Sequence, residues 1–210
     1  MKVAILGATG KTGGHAMQIA LAAGHDVRAL ARDPAKLTTK HAALTVVKGD
    51  ATNAKDVETL VAGCDAVIAC LGPPHLKTTT LRGDAARAIV TAMEATGVKR
   101  IVWLSALGVG DSMPQMRKTS FLAARVFVPL VVKRTYVDAL AAEDVLRASG
   151  LDFVLCRPPG LTDKAATGTI IEVPADQKLP RLRCTRADVA SWMVKAATTS
   201  AFDRQAVTIC

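Results

Sequence analysis

The sequence predicts an α/β fold, one doubly wound parallel sheet, and three observations lead there. Short solid apolar runs alternate along the chain with amphipathic stretches of helical period. Such runs suit strands buried on both faces, as in parallel sheets covered by helices. Four of the predicted helices stop at a glycine, the residue that most easily reverses a chain through a left-handed conformation. The first strand also runs straight into a glycine cluster that opens a helix.

The elements follow in order. Residues 3–6 are the first strand, and 12–23 a helix closed by Gly24. Residues 27–31 and 44–47 are the second and third strands, and 56–62 a helix ended by Gly63. Residues 66–71 form the fourth strand, 85–95 a helix ended by Gly97, and 101–104 the fifth strand. A helix over 135–148 ends at Gly150, and 153–156 is the sixth strand. A last helix, 187–197, precedes a final strand at 206–209. With 210 residues and no repeat, low-complexity tract or linker, the chain reads as a single domain.

Composition removes several function classes. Aromatic residues are only 3% of the chain, too few for stacked-base recognition of nucleic acid. The formal charge is +9, but the cations are scattered as pairs such as Lys99-Arg100 and Lys133-Arg134. That pattern favours an anionic small molecule over nucleic acid or a membrane surface. The five cysteines are widely spaced without a CxxC pair, and the four histidines show no metal-ligand spacing; reduced core thiols and no metal are expected. Met1-Lys2 leads directly into a strand, and no apolar stretch reaches about 18 residues, so a cytoplasmic protein is expected. The apolar run 121–132 contains Arg125 and Pro129 and reads as a buried or lid segment.

In a doubly wound sheet, ligands bind at the carboxyl ends of the strands where the strand order reverses. The first strand ends in Gly7-Ala8-Thr9-Gly10-Lys11-Thr12-Gly13-Gly14. Gly7 permits a tight turn, Gly10 lets backbone approach a pyrophosphate, and Gly13 lets helix and strand pack closely. The helix N-terminus offers unpaired N–H groups, and the Thr9 and Thr12 hydroxyls add donors, with Lys11 between them. This is a dinucleotide loop; the GxxxxGK[ST] spacing of a P-loop is absent.

The second strand selects the dinucleotide. It ends Leu30-Ala31-Arg32-Asp33-Pro34, with Lys36 two residues later. A guanidinium there suits the 2′-phosphate of NADP, which favours Arg32 and Lys36 as its partners. Asp33 keeps NAD open, since an acid at this point accepts from a ribose hydroxyl. Alternatively Arg32 is a solvated charge and Asp33 caps the turn into Pro34.

GATGKTG with ARDP, followed by Gly49-Asp50-Ala51, Leu71-Gly72, Ser105-Ala106, the stretch 146–152, Arg157-Pro158-Pro159 and Thr185–Ala190, resembles the atypical short-chain dehydrogenase/reductases. The similarity is greatest to the small NAD(P)H-binding proteins that include B-type biliverdin reductase/flavin reductase and the NmrA-like group. The resemblance implies that Asp50 bonds the adenine amino group with Ala51 stacked nearby, although Asp50 also reads as a turn residue capping the next helix. Leu71 and Gly72 would line the path to the ribose-phosphate, and Ser105 would be the active-site serine beside the nicotinamide. The turn from Pro158 through Gly160 and Leu161 would pack on the nicotinamide.

The departures bear on mechanism. Most short-chain members use Tyr-xxx-Lys, but the one tyrosine here, Tyr136, is followed four residues on by Leu140. Aligning on Glu143 and Leu146 puts Thr135 and Ala139 at those two positions, leaving Tyr136 a packing or pocket-wall residue. Where the B-type biliverdin reductases carry a histidine, this chain has Gly160. The resemblance therefore implies an NADPH-dependent reductase of a planar conjugated small molecule, with FMN, FAD or a biliverdin-like tetrapyrrole as substrate and the proton from solvent. Ser105 would orient the substrate or a water by donating a hydrogen bond. The alternative is a non-catalytic NADP(H) sensor of the NmrA-like kind; a sugar-nucleotide epimerase fits less well without the Tyr–Lys pair. A monomer or weak homodimer is expected.

Overall fold

The computed structural model describes residues 1–72, 80–122, 124–126, 130 and 133–210. The chain alternates β1 (Lys2–Leu6), α1 (Lys11–Ala22), β2 (Asp26–Ala31), β3 (Leu44–Lys48), α2 (Ala54–Val61), β4 (Ala66–Ala69), α3 (Leu81–Thr96) and β5 (Arg100–Leu104). It continues with α4 (Met113–Thr119), α5 (Lys133–Ala148), β6 (Asp152–Arg157), β7 (Gly160–Thr162), β8 (Glu172–Val173), β9 (Arg183–Thr185), α6 (Arg186–Thr198) and β10 (Gln205–Ile209).

Eight strands form one sheet in the order β3-β2-β1-β4-β5-β6-β10-β8. All neighbours run parallel except β8, which is antiparallel to β10. The strand period of two divides each strand between the faces. In β1, Val3 and Ile5 join the core with α1 and α6, while Ala4 and Leu6 join the core with α2, α3 and α5. Helices therefore cover both faces, as a doubly wound sheet demands.

The order reverses between β1 and β4, because α1 carries the chain to one side of β1 and α2 carries it to the other. A crevice opens there at the carboxyl ends of the two strands. β4 stops at Ala69; Cys70 N still donates to Leu6 O of β1 at 2.9 Å, and Cys70, Leu71 and Gly72 line this crevice.

Several local expectations change. Gly24, Gly63 and Gly97 are left-handed, but Gly150 is not. α5 instead ends at Ser149, whose hydroxyl donates to Leu146 O at 2.7 Å and accepts from Leu151 N at 3.3 Å. β7 and β9, three residues each, pair in a separate parallel ladder, and the two-residue β8 adds the antiparallel edge. Strands this short are set by tertiary pairing, since two or three residues carry no readable alternation. α4 was also not expected; Gln115 ties it to the carbonyls of Val173, Pro174 and Gln177.

The run 121–132 departs from a buried segment at the positions described. Phe121, Leu122, Val126 and Leu130 are exposed, and Ala124 is buried. Residues 123, 127–129 and 131–132 of that run lie outside the described residues.

Candidate active site

The glycine loop is shaped by backbone contact. Gly7 has φ +83°, and a Cβ there would lie 2.4 Å from Cys70 O. A Cβ on Gly13 would lie 2.2 Å from Gly7 O, so loop, helix and β4 end pack main chain on main chain. Gly10 is less confined, its nearest neighbour being Gly7 O at 3.2 Å. As N-cap of α1, Gly10 brings no side chain to the helix end, and the first N–H groups of the helix are available to an anion.

A cleft of about 160 Å³ lies over this loop. Eight of the sequence-predicted residues line it together: Gly7, Thr9, Gly10, Arg32, Asp50, Ala51, Leu71 and Gly72. At its outer end Arg32 is exposed, while the Asp33 carboxylate accepts from Ala35 N at 3.2 Å and caps the short 3-10 turn Pro34–Lys36. Lys36 ends that turn, exposed and outside the cleft lining. Asp50 accepts from Thr52 N at 2.9 Å and Thr52 Oγ1 at 2.8 Å. These bonds, the backbone one foremost, hold its carboxyl below the usual carboxylate range, with Arg32 adding a smaller effect. The helix cap is not Asp50 but Asn53, which accepts from the N–H groups of Lys55 and Asp56.

Three loop residues take other places. Thr12 and Gly13 are buried under the loop. Lys11 Nζ turns to Asp163, 2.5 Å away, and Arg186 binds the other Asp163 oxygen at 2.6 Å. At the next strand end, Leu107 N donates to Pro158 O at 2.9 Å. Gly160 N donates to Leu182 O at 3.1 Å, and a Cβ on Gly160 would meet that same carbonyl at 3.3 Å. Leu161 pairs with Cys184 in the β7–β9 ladder. The turn 158–161 is thus held by pairing and shaped without a side chain at 160.

Ser105 follows β5, with its N–H donated to Cys156 O at 2.8 Å. Its Oγ lies 2.5 Å from Glu143 Oε1 on α5. Glu143 is fully buried and forms a two-point ion pair with Arg157, whose Nε is 3.0 Å from the same Oε1. Arg157 also reaches Asp111 at 2.5 Å. Burial pulls the Arg157 guanidinium down, but the bonds and charge of Glu143 carry it above its ordinary value. A carboxylate only accepts, so the single Ser105 proton is directed at Glu143 and its oxygen is left as an acceptor. This differs from the expected donor role. Arg157 holds Glu143 and Asp111 together.

Tyr136 donates its hydroxyl proton to Leu107 O at 2.8 Å. Burial pushes the phenol above its ordinary pKa, and the charge of Arg82 offsets part of that. Ala139 is buried, and the Thr135 hydroxyl is buried without a partner among the described residues.

A model of the NAD(P)H-binding family matches residues 7–200. The chain belongs to this family.

Among relatives of this NAD(P)H-binding chain, an uncharacterised chloroplastic protein of Arabidopsis thaliana is 31% identical over 185 residues, covering 83% of this chain. The chain spans 64% of that relative's length. A Bacillus subtilis protein named as an uncharacterised sugar epimerase is 28% identical, covering 92% of this chain and 86% of the relative. Among solved structures, ChuY of Escherichia coli O157:H7, described as an anaerobilin reductase, is 27% identical with a TM-score of 0.81, covering 100% of this chain and 96% of that one. These neighbours support the resemblance to atypical short-chain dehydrogenase/reductases of the biliverdin-reductase kind.

The loop and cleft fit the family's dinucleotide: the space over Gly10 is one a larger side chain would take, and the lining runs from Arg32 and Asp50 to Gly72. Sequence reasoning missed three residues that shape the site. Glu143 carried a signal, since it falls with Ala139, Ala142 and Leu146 on the buried stripe of α5, where an acid requires a partner. Arg82 and Asp163 carried none, because each acts on elements far away in the chain.

Proposed function

We propose that this protein is an NADPH-dependent reductase that transfers hydride to a planar conjugated acceptor, a flavin or a linear tetrapyrrole, with the proton taken from solvent. The observation that supports this reading is the commitment of two hydroxyl protons to other partners, on Ser105 after β5 and on Tyr136 of α5. Ser105 directs its proton at Glu143, and Tyr136 directs its own at Leu107 O with a raised pKa. Neither is placed to protonate the alkoxide left by reduction of a simple ketone. A conjugated ring spreads that charge, and water supplies its proton. The dinucleotide, when bound, supplies the hydride.

The chain's own residues bind and orient. The loop 7–13 and the α1 N-terminus would hold the pyrophosphate, Arg32 the 2′-phosphate, and Asp50 with Ala51 the adenine. Asp33 is engaged as a turn cap, which supports NADP over NAD. Lys11, tied to Asp163, would draw the β7 end toward the loop rather than serve the phosphate alone. Ser105 would accept from an N–H of the nicotinamide carboxamide or of the acceptor, and the turn 158–161 would form the opposite wall. The anaerobilin reductase among the neighbours supports a tetrapyrrole; the epimerase name of the Bacillus relative finds no Tyr–Lys pair here.

The test is direct. Loss of absorbance at the nicotinamide band is measured on mixing the protein with NADPH and FMN or a linear tetrapyrrole, and separately with aliphatic ketones. Turnover of the planar acceptors and none of the ketones is expected. Tight NADPH binding with no turnover of any planar acceptor would replace the reductase by the sensor.

A further inference from the structure

The exposed apolar side chains of this protein are not spread evenly. Nine large ones are exposed among the described residues, and six of them fall between positions 121 and 140. Phe121, Leu122 and Leu130 are 67%, 70% and 79% exposed. Single exposed apolar residues are ordinary, but a group of this size marks a contact surface. On α5, Lys133, Val137 and Leu140 recur at helical spacing on the face opposite the buried stripe of Asp138, Ala139, Ala142, Glu143 and Leu146. Leu122, Val126 and Leu130 recur every four residues ahead of that helix. Leu130 lies three residues before Lys133, so the chain itself keeps it within about 11 Å of the start of α5.

Cations frame these residues. From Ser112 to Val137 the sequence holds Arg117, Lys118, Arg125, Lys133 and Arg134 and no acid. All five are exposed, and none forms a salt bridge among the described residues. Lys118 gives one hydrogen bond, to Asp176 O at 3.0 Å. Arg117-Lys118 precede Phe121, Arg125 stands beside Val126, and Lys133-Arg134 follow Leu130, so charge and apolar side chains interleave. Part of the positive charge expected to be scattered is therefore gathered here. Two copies meeting through this face would set the five cations against the same five, a repulsion that opposes a dimer. Nucleic acid offers phosphates but no use for leucine and valine side chains. An anionic lipid surface takes both: apolar tips enter the acyl boundary while long Lys and Arg stems carry their charges to the headgroups.

We propose that the face carrying Phe121, Leu122, Val126, Leu130, Val137 and Leu140 docks on an anionic lipid surface, with its five cations on the headgroup phosphates. The protein lies on that surface and does not cross it, since no helix among the described residues is long and apolar enough to span a membrane. The proposal stands apart from the reductase reading, because none of these residues lines the cleft over the glycine loop.

The test is co-sedimentation of the protein with vesicles of phosphatidylcholine alone and of equal parts phosphatidylcholine and phosphatidylglycerol. Binding to the anionic vesicles, weakened by added salt, and none to the neutral ones is expected. Lys133→Gln with Arg134→Gln should weaken partitioning by about 25-fold, at about 5-fold for each cation held near an anionic leaflet. Leu122→Ser with Leu130→Ser should weaken it by about 10-fold or more. Both pairs are exposed, so melting curves and NADPH Kd should stay close to wild type. Lys40→Gln with Lys55→Gln, an exposed pair elsewhere on the chain, should change partitioning little. An equal loss in that control pair would make the binding a matter of total charge and overturn the proposal. So would absence of binding, equal binding to both vesicles, or binding that ignores the leucine pair. Sedimentation velocity reads the other occupant: a dimer that the leucine pair dissolves, without vesicle binding, would give this face to a second copy.

Discussion

Ser105 Oγ and Glu143 Oε1 lie 2.5 Å apart, one after β5 and the other fully buried on α5. This contact joins the end of β5 to an ion pair in the interior, because Arg157 grips the same carboxylate from β6. Three segments far apart in sequence thus fix one hydroxyl. Glu143→Ala would leave Arg157 buried without its carboxylate, and a loss of roughly 3–5 kcal/mol is expected in urea denaturation. A loss under about 1 kcal/mol would show that Asp111 alone satisfies the arginine.

Ser105→Ala removes the hydroxyl but leaves Glu143 with Arg157. The variant should melt close to wild type and turn over planar acceptors more slowly, without losing NADPH affinity. Unaltered turnover would remove Ser105 from the site.

Arg32→Ala should weaken NADPH by about 10- to 150-fold and NADH far less. Calorimetric titration with both dinucleotides checks this. Equal losses for the two would mean that Arg32 supports the fold around the Asp33 turn, and a wild-type preference for NADH would reverse the assignment.

Two loop glycines should behave differently. Gly13→Ala forces a Cβ to 2.2 Å from Gly7 O, a clash of main chain that the loop must move to relieve, so it should lower the melting temperature markedly. Gly10→Val meets Gly7 O at 3.2 Å and otherwise points where a pyrophosphate belongs, so the fold should survive while dinucleotide binding is lost. NADPH binding by Gly10→Val at wild-type strength would move the phosphates off this loop.

Asp188 predicts a pH effect. Its buried carboxylate accepts from Thr167 N, Gly168 N, Thr167 Oγ1 and, at 2.7 Å, Thr185 Oγ1. Burial alone would raise its pKa, but these bonds bring it below the ordinary value. A depressed folded pKa gives stability that is present above the unfolded value near about 3.9 and lost as pH falls through the folded one. Asp188→Asn should therefore cost about 1–3 kcal/mol at pH 7, a difference that shrinks below about pH 4. Denaturant melts of both proteins at pH 7 and pH 3 measure it; a constant difference would mean that the carboxylate's charge is not what the bonds require.

The fold and the residues that line the cleft over the glycine loop were legible because they are written locally. Strands buried on both faces must be solid apolar runs, and a loop whose Cβ positions fall 2.2–2.4 Å from backbone carbonyls must be glycine at Gly7 and Gly13. Arg32 and Asp50 follow at the ends of adjacent strands, so strand order alone carries them to one cleft. The rest was not legible. Which way the Ser105 proton points depends on Glu143 and Arg157, and what Arg82 faces depends on Leu71 and Thr135. Lys11 reads as a phosphate ligand until Asp163 is brought beside it by the β7–β9 pair, whose three-residue strands have no period of their own. Periodicity fixes which face of an element is buried; the direction of a proton or a charge is settled by partners that only tertiary packing brings within hydrogen-bond distance.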